Sequence, residues 1–137
     1  MRIKQPTRLP KKGGYVSLQD WMVRYYNLSL RELIVYAVIH SFSQDGKSSF
    51  TGSIQYLSFW TRSGKTTILK TLKDLIAKGL IAKEEIYTEA LPRDLSKEKL
   101  AEWKGKHRHY CRYWSVFSRL SEEEQDEIIT KVPYKCS

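Results

Sequence analysis

From Tyr15 onward, apolar positions recur at helical spacing, and short polar breaks cut the pattern into elements. Leu18, Trp21, Met22 and Tyr25 predict a short first helix ending before Asn27. Ser29 followed by Glu32 fits a capping box, and Leu30, Leu33, Ile34, Ala37, Val38 and Phe42 then form one apolar face widened by Val35 and Ile39. A helix this apolar around its circumference belongs at the centre of a core. Gln44-Asp45-Gly46-Lys47 reads as a turn, Ser48 to Thr51 as a brief strand, and Ser53 as the cap of a short helix carrying Ile54, Leu57, Ser58 and Trp60.

After the polar break Thr61-Arg62-Ser63-Gly64, Ile68, Leu72, Leu75 and Ile76 repeat at three and four residues, predicting a helix from Ser63 to Lys78 that Gly79 stops. Residues 80–90 and 109–117 carry strand-forming residues and are expected to pair as a hairpin. The long polar loop between them, 91–108, holds at most a turn or two of helix over 96–103. Ser121 followed by Glu122, Glu123 and Glu124 starts a last helix, 121–131, whose acids complement the positive end of the helix dipole. The fold class is mainly α with a small β-hairpin.

Setting Ile68, Leu72, Leu75 and Ile76 toward the core turns Thr66, Lys70 and Lys73 outward, with Leu69 at the margin. From Arg62 to Lys83 there are six basic residues against the single acid Asp74, the balance a helix needs to enter a groove lined with phosphates. Lys65, Thr66, Thr67 and Lys70 are the candidates for base edges, and Arg62 and Lys73 for backbone phosphate. The loop between the strands adds Lys104, Lys106 and Arg108 as candidate phosphate contacts at a loop tip. For each cluster the competing reading is a solvated charged surface.

The 137 residues suffice for one domain, 15–137, preceded by a basic arm, 1–14, rich in Lys, Arg, Pro and Gly. A net charge of +9 calls for an acidic partner, nucleic acid or an anionic membrane face. The longest apolar run, Leu33 to Ile39, is far shorter than the ~20 residues that cross a bilayer, and no secretory pattern follows Met1, so a cytoplasmic protein without a membrane partner is expected. Cys111 and Cys136 suit two reduced thiols.

The order helix, helix, strand, helix, tight turn, helix, two strands looks like a winged helix-turn-helix. Residues Leu28 to Ile81 resemble the helix-turn-helix domain at the start of phage replisome organisers and plasmid replication initiators of Gram-positive bacteria. The carrying residues are Leu28-Ser29-Leu30, Asp45-Gly46-Lys47-Ser48, Ser53 to Leu57, and Thr66-Thr67-Ile68 through Leu72-Lys73-Asp74-Leu75 to Lys78-Gly79-Leu80-Ile81. The resemblance implies double-stranded DNA as partner and a role in replication initiation or transcription regulation, with other replication proteins as further partners. A single module covers little DNA, so a homodimer through the first and last helices is an open expectation. The rival reading is a protein-interaction adaptor that keeps the fold without the DNA.

Other chemistry finds less support. Ser63-Gly64-Lys65-Thr66-Thr67 is not a nucleotide loop, because Phe59 stands where the first glycine is required. His107, His109 and Cys111 alternate, so on a strand they would share a face; they are either zinc ligands lacking an evident fourth partner or ordinary wing residues. Trp21, Tyr36, Phe42 and Phe59 are expected in the core, while Tyr110 and Tyr113, if both exposed beside Arg108 and Arg112, would favour single strands or RNA. No nucleophile, base and orienting group come together, so neither an enzyme nor a cofactor is expected.

Overall fold

In the computed structural model, residues 9–10, 12–87, 89–107 and 109–130 are described. Helix α2 (Leu30–Ser43) is the axis of the core: Val35 through His40 are all buried along it. It starts where Ser29 and Glu32 cap each other, the Glu32 N–H donating to Ser29 Oγ at 3.3 Å and the Ser29 N–H to Glu32 Oε1 at 3.1 Å. Leu30 and Phe42, expected on the inner face, are 69% and 41% exposed: Leu30 is the first residue of the helix, and Phe42, in its last turn, packs edge to face with Phe50 and Tyr56 at 5.3 and 5.8 Å but keeps part of its ring open. Beyond it, the Asp45 carboxylate accepts the Ser48 hydroxyl and the N–H groups of Ser48 and Lys47, which hold its pKa down to about 2. Gly46, at φ 75° and with a would-be Cβ only 3.1 Å from the Ser118 carbonyl oxygen, completes that reversal.

The short α1 (Asp20–Tyr25) inserts Trp21 and Met22 beneath α2. Trp21 stacks on Phe117 with centroids 4.0 Å apart. Leu18 and Tyr25, expected beside them, are about half exposed: Leu18 lies before the helix begins, and Tyr25 is its last residue. The strand expected over 48–51 is a single bridge, Phe50 to Tyr113, because Gly52 and Ser53 already lead into α3 (Ile54–Thr61). On α3, Tyr56 and Leu57 face inward, whereas Phe59, expected in the core, is 53% exposed.

Helix α4 (Lys65–Ala77) ends in a Schellman motif. The Leu80 N–H donates to Leu75 O at 3.1 Å, the Gly79 N–H to Ile76 O at 2.9 Å, and Gly79 takes φ 74°. The chain then enters β1 (Ile81–Tyr87), which pairs antiparallel with β2 (His109–Ser115) in a register running from Ile81 opposite Ser115 to Tyr87 opposite His109. Both strands are shorter than expected. At the base of the hairpin, the Ser115 N–H donates to Ser43 Oγ at 3.1 Å and the Val116 N–H to Leu80 O at 2.9 Å, and the chain turns at once into a 3-10 segment, Phe117–Arg119.

Between the strands stands α5 (Lys97–Lys106), longer than the turn or two expected over 96–103. Ser96 caps it and Trp103 anchors it to the hairpin, so the helix is carried on through Gly105. The last helix, α6 (Glu122–Thr130), is capped by Ser121, which accepts the Glu124 N–H at 3.2 Å and donates to the Glu124 carboxylate at 3.0 Å, and it packs against α1. Residue 131, most of the expected arm (1–8 and 11) and Cys136 lie outside the described residues; Cys111 is a half-buried free thiol. Helices α2, α3 and α4 with the hairpin that follows them form a winged helix-turn-helix, and among the described residues no helix is long and apolar enough to cross a membrane.

Candidate nucleic-acid interface

The turn between α3 and α4 is three residues long and is closed by backbone, not by a side-chain cap. Arg62 occupies the left-handed region, φ 53° and ψ 36°, and its N–H donates to Ser58 O at 2.7 Å. Ser63 does not begin the helix as expected. Its hydroxyl donates to Thr61 O at 3.3 Å and accepts Arg31 Nε at 2.7 Å, which leaves Gly64 as the N-cap and Lys65 as the first helical residue.

Along α4 the buried stripe is Ile68, Thr71, Leu72 and Leu75. Ile76, expected in that stripe, is 37% exposed, because eight residues after Ile68 the helix has rotated it about 80° away from the core. Thr71 takes the inner position instead, donating its hydroxyl to Thr67 O at 2.8 Å so that no donor is stranded.

The opposite flank is open. Thr66, Lys70 and Lys73 point directly away from the core, Lys65 and Leu69 flank them, and all five are exposed. Thr67 is turned toward α2 and is half-buried. Among the described residues, Arg62, Lys65, Lys70 and Lys73 have no carboxylate partner, so their charge is available to an external anion.

Beside this flank runs a groove of about 320 Å³ between the first turn of α2 and α4, lined by Ser29, Arg31, Glu32, Thr66, Thr67, Lys70, Thr71 and Asp74. Partial burial raises the Glu32 carboxyl, but the Lys78 ammonium at 2.6 Å and the Ser29 bonds outweigh it and hold the group below its ordinary value. Arg31 and the groove it shares with α4 have no counterpart in the linear pattern. Arg31 and Ser63 lie 32 positions apart, and nothing at either position announces the other.

On the wing, Lys104 and Lys106 occupy the last turn of α5, not a loop tip. An aromatic cluster fixes that turn to the end of the hairpin. Trp103 stacks on His107 at 3.9 Å, and Tyr87 packs against Trp103 at 5.3 Å and His109 at 5.0 Å. Lys104 Nζ sits 5.9 Å from the centre of the Tyr87 ring and is half-buried, whereas Lys106 is exposed. Arg108 lies outside the described residues. Arg112 is neutralised by Glu84, its Nη2 donating to both carboxylate oxygens at 3.0 Å, and with Arg119 it brackets the Trp114 ring at 5.6 and 4.5 Å.

The zinc reading of His107, His109 and Cys111 required a shared strand face. His107 lies before β2, with Nδ1 2.6 Å from Trp103 O and Nε2 3.2 Å from the Glu89 carboxylate. Among the described residues no group of three or more His, Cys, Asp or Glu is placed to hold a metal ion. The single-strand reading required Tyr110 and Tyr113 outward together. Three positions apart on a strand they face opposite ways, and Tyr113 is 7% exposed.

Residues 26–81 match the family model of a helix-turn-helix domain, a span that runs from Tyr26, just before α2, to the first residue of β1. The match is to the domain and does not reach replisome organisers or plasmid initiators in particular. No curated protein and no solved structure matches the chain.

Proposed function

We propose that the protein binds duplex DNA by laying α4 in the major groove. The observation that carries this reading is the unpaired flank Thr66, Lys70 and Lys73, exposed on a helix whose other side is the buried stripe Ile68, Thr71, Leu72 and Leu75. Lys65, Thr66 and Lys70 take base edges, with Thr67 reaching from the α2 side. Arg62, Lys73, Lys104, Lys106 and Arg108 take phosphates on either side. The resemblance of Leu28 to Ile81 to replisome organisers and plasmid initiators supports a role in phage or plasmid replication initiation, and transcription regulation uses the same groove chemistry. Both place the protein in the cytoplasm, as a homodimer on its site or beside other replication proteins.

A second reading, a protein-interaction adaptor, is favoured by Leu69 and Ile76, which leave 41% and 37% of their surface open on the same helix. Titrating the protein into a fluorescently labelled duplex across a salt series separates the two. A DNA binder loses about 0.9 log units of affinity per log unit of salt for each phosphate it neutralises. Lys70→Glu abolishes that binding while the circular dichroism stays that of the folded protein. Absence of duplex binding at low salt selects the adaptor.

A further inference from the structure

We infer that Arg31, at the start of α2, is a further anchor on the DNA backbone, gripping a phosphate beside the groove that α4 enters. The inference rests on the duplex-binding reading above and adds an element to it, for α2 otherwise serves only the core.

Three observations converge. First, Arg31 is exposed, and its Nε donates to Ser63 Oγ at 2.7 Å, so the guanidinium is held against the turn that precedes α4. That bond uses one donor of five and leaves the terminal nitrogens, the pair that forks onto phosphate oxygens, without a carboxylate. Second, the nearest acid in sequence is spent. Glu32 takes the Ser29 N–H on one oxygen and the Lys78 ammonium on the other, so it does not neutralise Arg31. Third, the groove that Arg31 lines is polar along its length: Thr66 and Lys70 stand toward the start of α4, and Asp74 stands a turn further on. A phosphodiester is drawn to the end holding Arg31 and Lys70 and repelled from the end holding Asp74.

The bond to Ser63 also sets the reach. An exposed arginine ordinarily gives up much rotamer freedom when it grips an anion, and fixing the guanidinium beforehand reduces that cost. The grip belongs to the sequence-independent part of recognition. It positions α4 in the groove without reading a base.

The test uses the full chain and a short fluorescently labelled duplex of mixed sequence, with affinity followed by anisotropy across a potassium chloride series. Arg31→Ala is expected to lower the slope of log affinity against log salt by about 0.9 and to weaken binding several-fold at low salt. Arg31→Lys keeps the slope, because the slope counts charge. Ser63→Ala removes the same hydrogen bond yet keeps the cation, so it also keeps the slope, and this separates a phosphate contact from mere support of the turn. An Arg31→Ala protein whose slope and affinity equal the parent's, while Lys70→Glu has lost binding, overturns the Arg31 assignment and leaves the duplex reading standing. A parent protein that binds no duplex at low salt overturns both.

Discussion

His40 Nδ1 and Ser115 Oγ lie 2.8 Å apart in the centre of the molecule, joining the last turn of α2 to the last residue of β2. Ser115 Oγ accepts the Ser118 N–H at 3.2 Å, and Ser43 Oγ spends its proton on Ile39 O at 2.9 Å. His40 Nδ1 and Ser115 Oγ share one proton across this contact, and the imidazole is held neutral. Around the ring stand Trp21, Tyr36 and Phe117, none of which can balance a charge. Burial accordingly pulls the His40 pKa from 6.5 down to about 4.

A folded-state pKa below the unfolded one means that the unfolded chain binds the proton first. The stabilisation is complete above pH 6.5 and is lost as the pH falls toward 4, reaching about 3 kcal/mol by the lower limit. Urea midpoints between pH 7 and pH 4 check this against His40→Asn, which keeps a hydrogen-bonding group for Ser115 but cannot titrate. The parent is expected to lose the larger share of its stability over that window. Parallel losses in the two proteins would show that His40 is not the group responsible.

The parts of the fold that local chemistry dictates were legible in the sequence. Ser29 and Glu32 are one turn apart and cap each other, and Gly79 follows its last buried leucine, Leu75, closely enough to close a Schellman motif. The outward flank of α4 was legible for the same reason, since Thr66, Lys70 and Lys73 are fixed opposite Ile68, Leu72 and Leu75 by helical geometry alone. What escaped depends on the neighbours that each face meets. Ile76 and Thr71 lie on the two margins of one stripe, and α2 packs over the threonine side, so the less apolar residue is buried. The length of α5 depends on Trp103 finding Tyr87 and His107, and the Arg31 contact depends on two helices crossing.

Arg62 is expected to trade stability against binding. A side chain in the left-handed region costs about 1–2 kcal/mol, and glycine avoids most of that at the expense of a more flexible unfolded chain. With φ at 53°, Arg62→Gly should raise stability by about 0.5–1 kcal/mol, read from the urea midpoint. Removal of its cation should lower the salt slope of duplex binding by about 0.9. A more stable protein with an unchanged slope would leave the turn geometry intact and remove Arg62 from the set of phosphate contacts.

Asp74 is the one acid on α4, and its exposed carboxylate has no cationic partner among the described residues. If the duplex backbone runs past the groove between α2 and α4, that carboxylate repels it, and Asp74→Asn relieves the repulsion without disturbing the helix, because only the backbone carbonyl of Asp74 serves the Lys78 cap. A unit charge several ångströms from a phosphate in a largely aqueous setting is worth about 0.6 kcal/mol, so affinity should rise about threefold at low salt. The gain should shrink as the Debye length falls below the separation. A variant that binds no tighter than the parent at low salt would mean that the phosphates pass on the other side of α4, beside Lys65 and Leu69, and the docking direction would have to be turned around.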